Sequence, residues 1–202
     1  MARQQKMQAW GLVGFVMLLI LIDQAIKFYV KLNFQLGEVR PLLGSWFSLC
    51  FVENNGMAFG IEWFDKLFLT IFRVVAVIVL VYYAVRLIKQ NTRTSYLLTI
   101  GMVIAGAMGN IIDCMFYGLI FSDSYGHVAQ LVPFGTGYES FMYGRVVDMF
   151  SLSFFPPIFN FADSCITVSV FLIILFFRNE LNSTLESKDN QSDKEEQTIE
   201  NQ

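Results

Sequence analysis

Four apolar runs, at about 10–30, 67–88, 96–121 and 158–177, constrain this chain more than any other feature. Each is close to the roughly 20 residues a helix needs to cross about 30 Å of hydrocarbon. A segment in lipid must satisfy its own backbone hydrogen bonds, so a single apolar run crosses as a helix. The expectation is an α-helical integral membrane protein with four transmembrane helices in one domain, residues 1–178. Of the 202 residues 55% are hydrophobic and 15% charged, more apolar than a soluble domain of this size. The first run resembles a signal peptide at its basic start (Arg3, Lys6). It is too long for one, ends in Asp23 and Lys27, and has no small-x-small cleavage site, so it is read as a retained helix.

Basic residues set the orientation. Arg3 and Lys6 precede the first run, Arg86, Lys89 and Arg93 crowd the connection between the second and third, and Arg178 follows the fourth. The positive-inside rule places these ends, and both termini, in the cytoplasm. The longer connections, about 31–66 and 122–157, then lie outside. The first holds a β-rich run from Trp46 to Val52, ended by Asn54-Asn55-Gly56. It predicts a small β-rich cradle on the outer membrane surface. The second, rich in Gly, Tyr and Ser, shows no helix or strand period. The tail 179–202 is acidic and polar, without periodicity, and is expected to be disordered.

Polar residues recur near the outer end of every run: Asp23 and Lys27 in the first, Arg73 in the second, Asn110 and Asp113 in the third, Asn160 and Asp163 in the fourth, with Asp148 just before it. Asp23 and Lys27, four apart, share a helix face and can neutralise each other. Asn110 can glue helices. That leaves Asp113, Asp148 and Asp163 with Lys27, Arg73 and Arg145 as the candidate cations. Carboxylates in a low-dielectric site resist ionising, and two close together share a proton. Such a pair suits amide hydrolysis: one carboxylate takes a proton from water while the other donates to the carbonyl oxygen. Asp148 and Asp163 are the predicted catalytic pair, brought together by a turn at Pro156-Pro157. One histidine and three cysteines without ligand spacing give no zinc site and no Ser-His pair. No metal, cofactor or nucleic-acid partner is expected.

The segments DQAIK, NNGMAFG, GNIID, GRVVDMF and FNFADSCI follow one another in that order. Together they resemble the bacterial lipoprotein signal peptidases (signal peptidase II), over about residues 10–177. The resemblance implies an aspartic endopeptidase of the bacterial inner membrane. It would act on prolipoproteins, cutting before the diacylglyceryl-modified cysteine at the outer side of the membrane. It also implies membrane lipid and globomycin-type peptide inhibitors as ligands, and a monomer is expected. It maps the family's catalytic aspartates onto Asp148 and Asp163. It implies positioning roles for Asp23, Lys27, Asn54, Gly56, Asn110, Asn160 and Ala162, with Asp113 beside them. The family's third motif continues Asp-Arg, whereas Cys114 follows Asp113 here; Arg145 or Arg73 is expected to supply the cation. The connection before VVDMF is also longer than the family's.

A small proton-coupled transporter is the alternative from another class, since intramembrane carboxylates with a lysine occur there. No internal repeat and no broken helix pair supports it. The Gly-x-Gly-Asp and rhomboid motifs of other intramembrane proteases are absent.

Overall fold

A computed structural model describes residues 2–55 and 66–183. The elements are α1 (Arg3–Asn33), β1 (Val39–Leu43), β2 (Phe47–Asn54), α2 (Lys66–Lys89), α3 (Thr94–Ile120), β3 (Val146–Leu152), β4 (Phe155–Phe159) and α4 (Phe161–Phe176). α1, α2 and α3 are long and apolar enough to cross a membrane. α4 is apolar but has 16 residues, shorter than the run 158–177 from which it was expected. The difference lies at its start. Phe159 ends a strand, and Asn160 caps the helix instead of joining it.

α3 is the central helix, packed against α1, α2 and α4. One apolar core, built around Leu87, Tyr96, Leu97 and Ile100, lies toward the α2–α3 connection. The outward faces carry exposed Leu18, Phe72, Ile78, Phe171 and Leu175, as helices solvated by lipid would. The second core, with Val30, Phe34, Phe51, Tyr117, Val147 and Met149, lies where α1 and α3 end and α4 begins. There it joins the helices to an antiparallel sheet of order β1-β2-β3-β4.

The sheet is larger than the sequence suggested. The predicted strand is β2, but half of the sheet comes from the second connection, as β3 and β4. β3 escaped notice because residues 146–149 are all buried, so its run shows no polar-apolar alternation. Pro156-Pro157, expected to break regular structure, lie in β4. That strand is at the sheet's edge and pairs with β3 through Phe159 and Phe155, so neither proline has to donate to the ladder. Between Leu49 and Val52 the register of β2 on β3 shifts, β2 spending an extra residue. This bulge breaks the simple alternation read from the sequence.

Near its end α3 widens into a π turn over Asp113–Tyr117. The connection 122–145 then closes the helix end with its own backbone. Val132, Gly135, Glu139, Met142 and Gly144 donate N–H bonds to the carbonyls of Ile120, Leu119, Gly118, Met115 and Cys114. Helix C-termini leave four carbonyls unpaired, and a π turn releases others, so this irregular segment serves as a cap. Residues 179–183, expected in the disordered tail, are helical: Leu181 N–H bonds the Phe177 carbonyl, and Glu180 lies 3.9 Å from Arg93. Residues 184–202 lie outside the described residues.

Candidate active site

The first turn of α4 organises the site. Asn160 and Asp163 form a capping box: Asn160 Oδ1 accepts from Asp163 N–H (2.9 Å), and Asp163 Oδ2 accepts from Asn160 N–H (3.3 Å). The box fixes which way the Asn160 amide points. With its oxygen committed to the helix, its Nδ2 donates to Asp148 Oδ1 (2.7 Å) and to Asn110 Oδ1 (3.1 Å). Asn110 Oδ1 also accepts from Lys27 Nζ (2.8 Å), so its Nδ2 is left to donate to Asp163 Oδ1 (2.8 Å). Each aspartate is therefore held by one amide, and the two amides are bonded to each other.

Asp148 arrives on β3. It lies opposite Val52 of β2, beyond the bulge, so Asn54, opposite Val146, shares its face. Asn54 Nδ2 donates to Asp148 Oδ2 at 3.2 Å. Gly56, also expected near the site, lies outside the described residues.

Beneath the amides sits a buried ionic core. Lys27 Nζ is 2.9 Å from Asp23 Oδ2 and 2.8 Å from Asp113 Oδ2, all three side chains being shielded from solvent. Of the three cations considered for Asp113, it pairs with Lys27, which it shares with Asp23. Each of these carboxylates also holds one arm of the site by its backbone. Asp23 Oδ1 accepts from Ala162 N–H in the first turn of α4 (2.9 Å), and Asp113 Oδ2 from Val147 N–H beside Asp148 (3.3 Å). Removing one partner of a buried ion pair costs about 3–5 kcal/mol, so this core fixes geometry firmly. Gln24, not singled out in the sequence although it lies in DQAIK, bonds Asp23, Asp113 and the Gly109 carbonyl and accepts from Tyr117. α3 approaches α4 and Asp23 of α1 closely enough for these bonds because residues 106 and 109 are glycine: a Cβ at 106 would collide with the Ala162 carbonyl oxygen. A Cβ at 109 would lie 2.5 Å from Asp23 Oδ2 and 3.1 Å from Ala162 Cβ.

Burial, and then the charge of Asp163, push the Asp148 carboxyl from 3.8 up to about 7, against the hydrogen bonds of Asn54 and Asn160 and the charge of Lys27. Near neutral pH Asp148 is then about half protonated, and a shared proton is the condition for one carboxyl to donate while the other accepts. Asp163 is reached from a groove of about 580 Å³ between the β3–β4 hairpin and α4, walled by Phe154, Phe155, Ile158, Thr167 and Val168. Among the described residues no group of three His, Cys, Asp or Glu side chains is placed to hold a metal ion.

Of the two arginines considered as cations, Arg73 reaches the position where the family's arginine was expected, whereas Arg145 lies in a separate cluster. Arg73 Nη1 is 3.3 Å from Cys114 Sγ. Arg145 Nη1 pairs with Glu53 Oε2 (2.9 Å) and Asp123 Oδ2 (3.4 Å), and its guanidinium lies over the Tyr138 ring. The cation held among the site residues is Lys27. Arg145 belongs to a second buried cluster in which Glu53 also pairs with Lys31 and accepts from Ser124 Oγ (2.8 Å). Burial opposes the ionised Glu53, but the Lys31 charge and the bonds from Arg145, Lys31 and Ser124 outweigh it and hold the carboxyl below its usual value. Glu53 lies opposite Val147, so this cluster ties the connection 122–145 to the strands that carry Asn54 and Asp148. A lone acidic residue beside a motif gives no sign of this in sequence.

Comparison with known proteins places the chain in a family and a fold. A sequence model of the signal peptidase (SPase) II family matches residues 15–178. The lipoprotein signal peptidase of Porphyromonas gingivalis is 41% identical over 195 residues, covering 87% of this chain and 86% of that protein. That of Amoebophilus asiaticus is 33% identical over 192 residues, covering 83% and 78%. A solved bacterial membrane enzyme, 24% identical, shares the fold with a TM-score of 0.61 over 82% of this chain and 90% of that one.

Proposed function

The chain belongs to the signal peptidase II family, and from that premise we propose that it is an intramembrane aspartic endopeptidase of diacylglyceryl-modified prolipoproteins. It removes their signal peptides by cutting before the lipidated cysteine. The observation that carries this reading is the pair of carboxylates, Asp148 and Asp163, each bonded to one of two mutually bonded amides, Asn160 and Asn110.

In the reaction Asp148 carries the shared proton and Asp163 is ionised. Asp163 takes a proton from water as the water oxygen attacks the scissile carbonyl carbon, and Asp148 donates its proton to the carbonyl oxygen. The gem-diol collapses when Asp163 passes its proton to the amide nitrogen, the C–N bond breaks, and a diol hydroxyl returns a proton to Asp148. Atoms and charges balance, and the pair ends as it began. The apolar groove beside Asp163 suits a substrate whose scissile bond is flanked by a signal helix and acyl chains.

The enzyme resides in the bacterial inner membrane with both termini cytoplasmic. Arg86, Lys89 and Arg93 sit at the α2–α3 connection, opposite the end that holds the sheet, and this supports a site at the outer side. The working unit proposed is a monomer. The test is incubation of the purified protein with a lipidated precursor and its unlipidated counterpart. Only the first should be cut, a globomycin-type peptide should block cutting, and Asp148→Asn and Asp163→Asn should each lower the rate by about 10²–10⁴-fold or more. Normal cleavage by either variant, folded, sinks the aspartic mechanism; cleavage of both precursors alike sinks the lipid requirement.

A further inference from the structure

We propose that residues 131–141 form a lipid-contacting loop, which presents Leu131, Phe134 and Phe141 to the headgroup and upper acyl layer of the bilayer alongside the end of α3. The inference rests on α3 spanning the membrane, not on the peptidase chemistry.

Three observations carry it. The first is depth. The N–H groups of Val132, Gly135, Glu139, Met142 and Gly144 bond successively to carbonyls from Ile120 back to Cys114, so the loop descends α3. At 1.5 Å per residue that descent is about 9 Å, nearly two turns into the spanning helix. Irregular backbone at such a level is tolerated only where its polar groups are paired, and here the helix end and the π turn provide the pairing. The second is exposure. Leu131, Phe134 and Phe141 are 58%, 73% and 46% exposed. The Phe141 ring packs 5.8 Å from that of Phe116, itself an outward-facing residue of α3, so the loop's apolar surface continues the helix's lipid-facing one. The third is charge. Residues 128–138 contain no Asp, Glu, Lys or Arg, and Glu139 is the one charged residue of 131–141, whereas the tip just before them holds Asp123 and His127. An apolar, aromatic stretch with a single charge at its edge suits the boundary between headgroups and acyl chains. The same loop leads through Arg145 into β3, so contact with lipid would hold the Asp148 strand at the membrane surface.

The test places a fluorescent NBD group at position 131 or 134, as Leu131→Cys or Phe134→Cys, in the full chain with Cys50, Cys114 and Cys165 changed to Ala. The references are Leu18→Cys on the outward face of α1 and His127→Cys at the loop tip. Each protein, first shown to unfold at the same temperature as the parent in detergent, is placed in phosphatidylethanolamine–phosphatidylglycerol vesicles, with or without lipids bearing a nitroxide high on the acyl chain. Quenching by the nitroxide at 131 and 134 should exceed that at 127 several-fold and approach that at 18, while aqueous iodide should quench 127 most. If iodide reaches 131 and 134 as readily as 127, the loop faces water and the proposal fails. If neither quencher reaches them, a protein surface covers the loop and the proposal fails equally.

Discussion

The direction of one side-chain amide decides how the site can work. The cap at the start of α4 requires the oxygen of Asn160, and that requirement turns its nitrogen toward Asp148 and Asn110. Asn160→Ala should cost about 1 kcal/mol of stability as a lost cap. Because the Asn160 bond holds the Asp148 carboxyl down, its removal should also move the alkaline limb of kcat/KM to higher pH, a shift that loss of a cap alone would not cause. In the parent enzyme that limb should fall near pH 7, where the pair loses its shared proton. Stability has the same origin. A carboxyl raised from 3.8 to about 7 by folding gives stability that is full below the unfolded value and lost as pH rises through the folded one. The midpoint of thermal unfolding in detergent should therefore decline between about pH 4 and 7, and Asp148→Asn should flatten the decline. The sequence pointed to both aspartates because carboxylates near an apolar run demand an explanation. It could not show that Lys27 serves two of the other carboxylates, since an i,i+4 pair already looks complete, nor that Glu53 has two cations. Glu53→Gln should leave the fully buried Lys31 without its counter-charge, and a lowered unfolding temperature should report it.

At the scale of elements, the long apolar helices were legible from length and hydropathy alone. What stayed hidden were local departures from regularity: the bulge in β2, the prolines accommodated in an edge strand, and the π turn at Asp113. Each depends on a partner from a distant part of the chain, and a local period carries no record of that partner. The contact of α3 with α4 shows how little tolerance these elements have. Gly109→Ala should push aside the Asp23 carboxylate and crowd Ala162, with loss of cleavage and a lower unfolding temperature. Gly11→Ala, at a helical glycine whose Cβ would meet nothing within 4 Å, should leave both unchanged. Equal behaviour of the two variants would show that helix approach at residue 109 does not govern the site.

At the scale of the molecule, the helices supply a lipid-facing stem and two ionic clusters join the sheet to it. The order of parts along the chain has a consequence for biosynthesis. Asp23 and Lys27 emerge early, Asn110 and Asp113 later, then Asp148, and Asp163 last, on a helix whose first turn hydrogen-bonds directly to Asp23. If Asp148 and Asp163 are the reacting pair proposed above, no subset of the segments made before the last helix contains both while the ribosome is still completing the chain. Proteolytic competence then arrives in a single event, when the final helix seats against the first and third. A nascent protease that shares its membrane with unfinished neighbours is thereby harmless until it is whole.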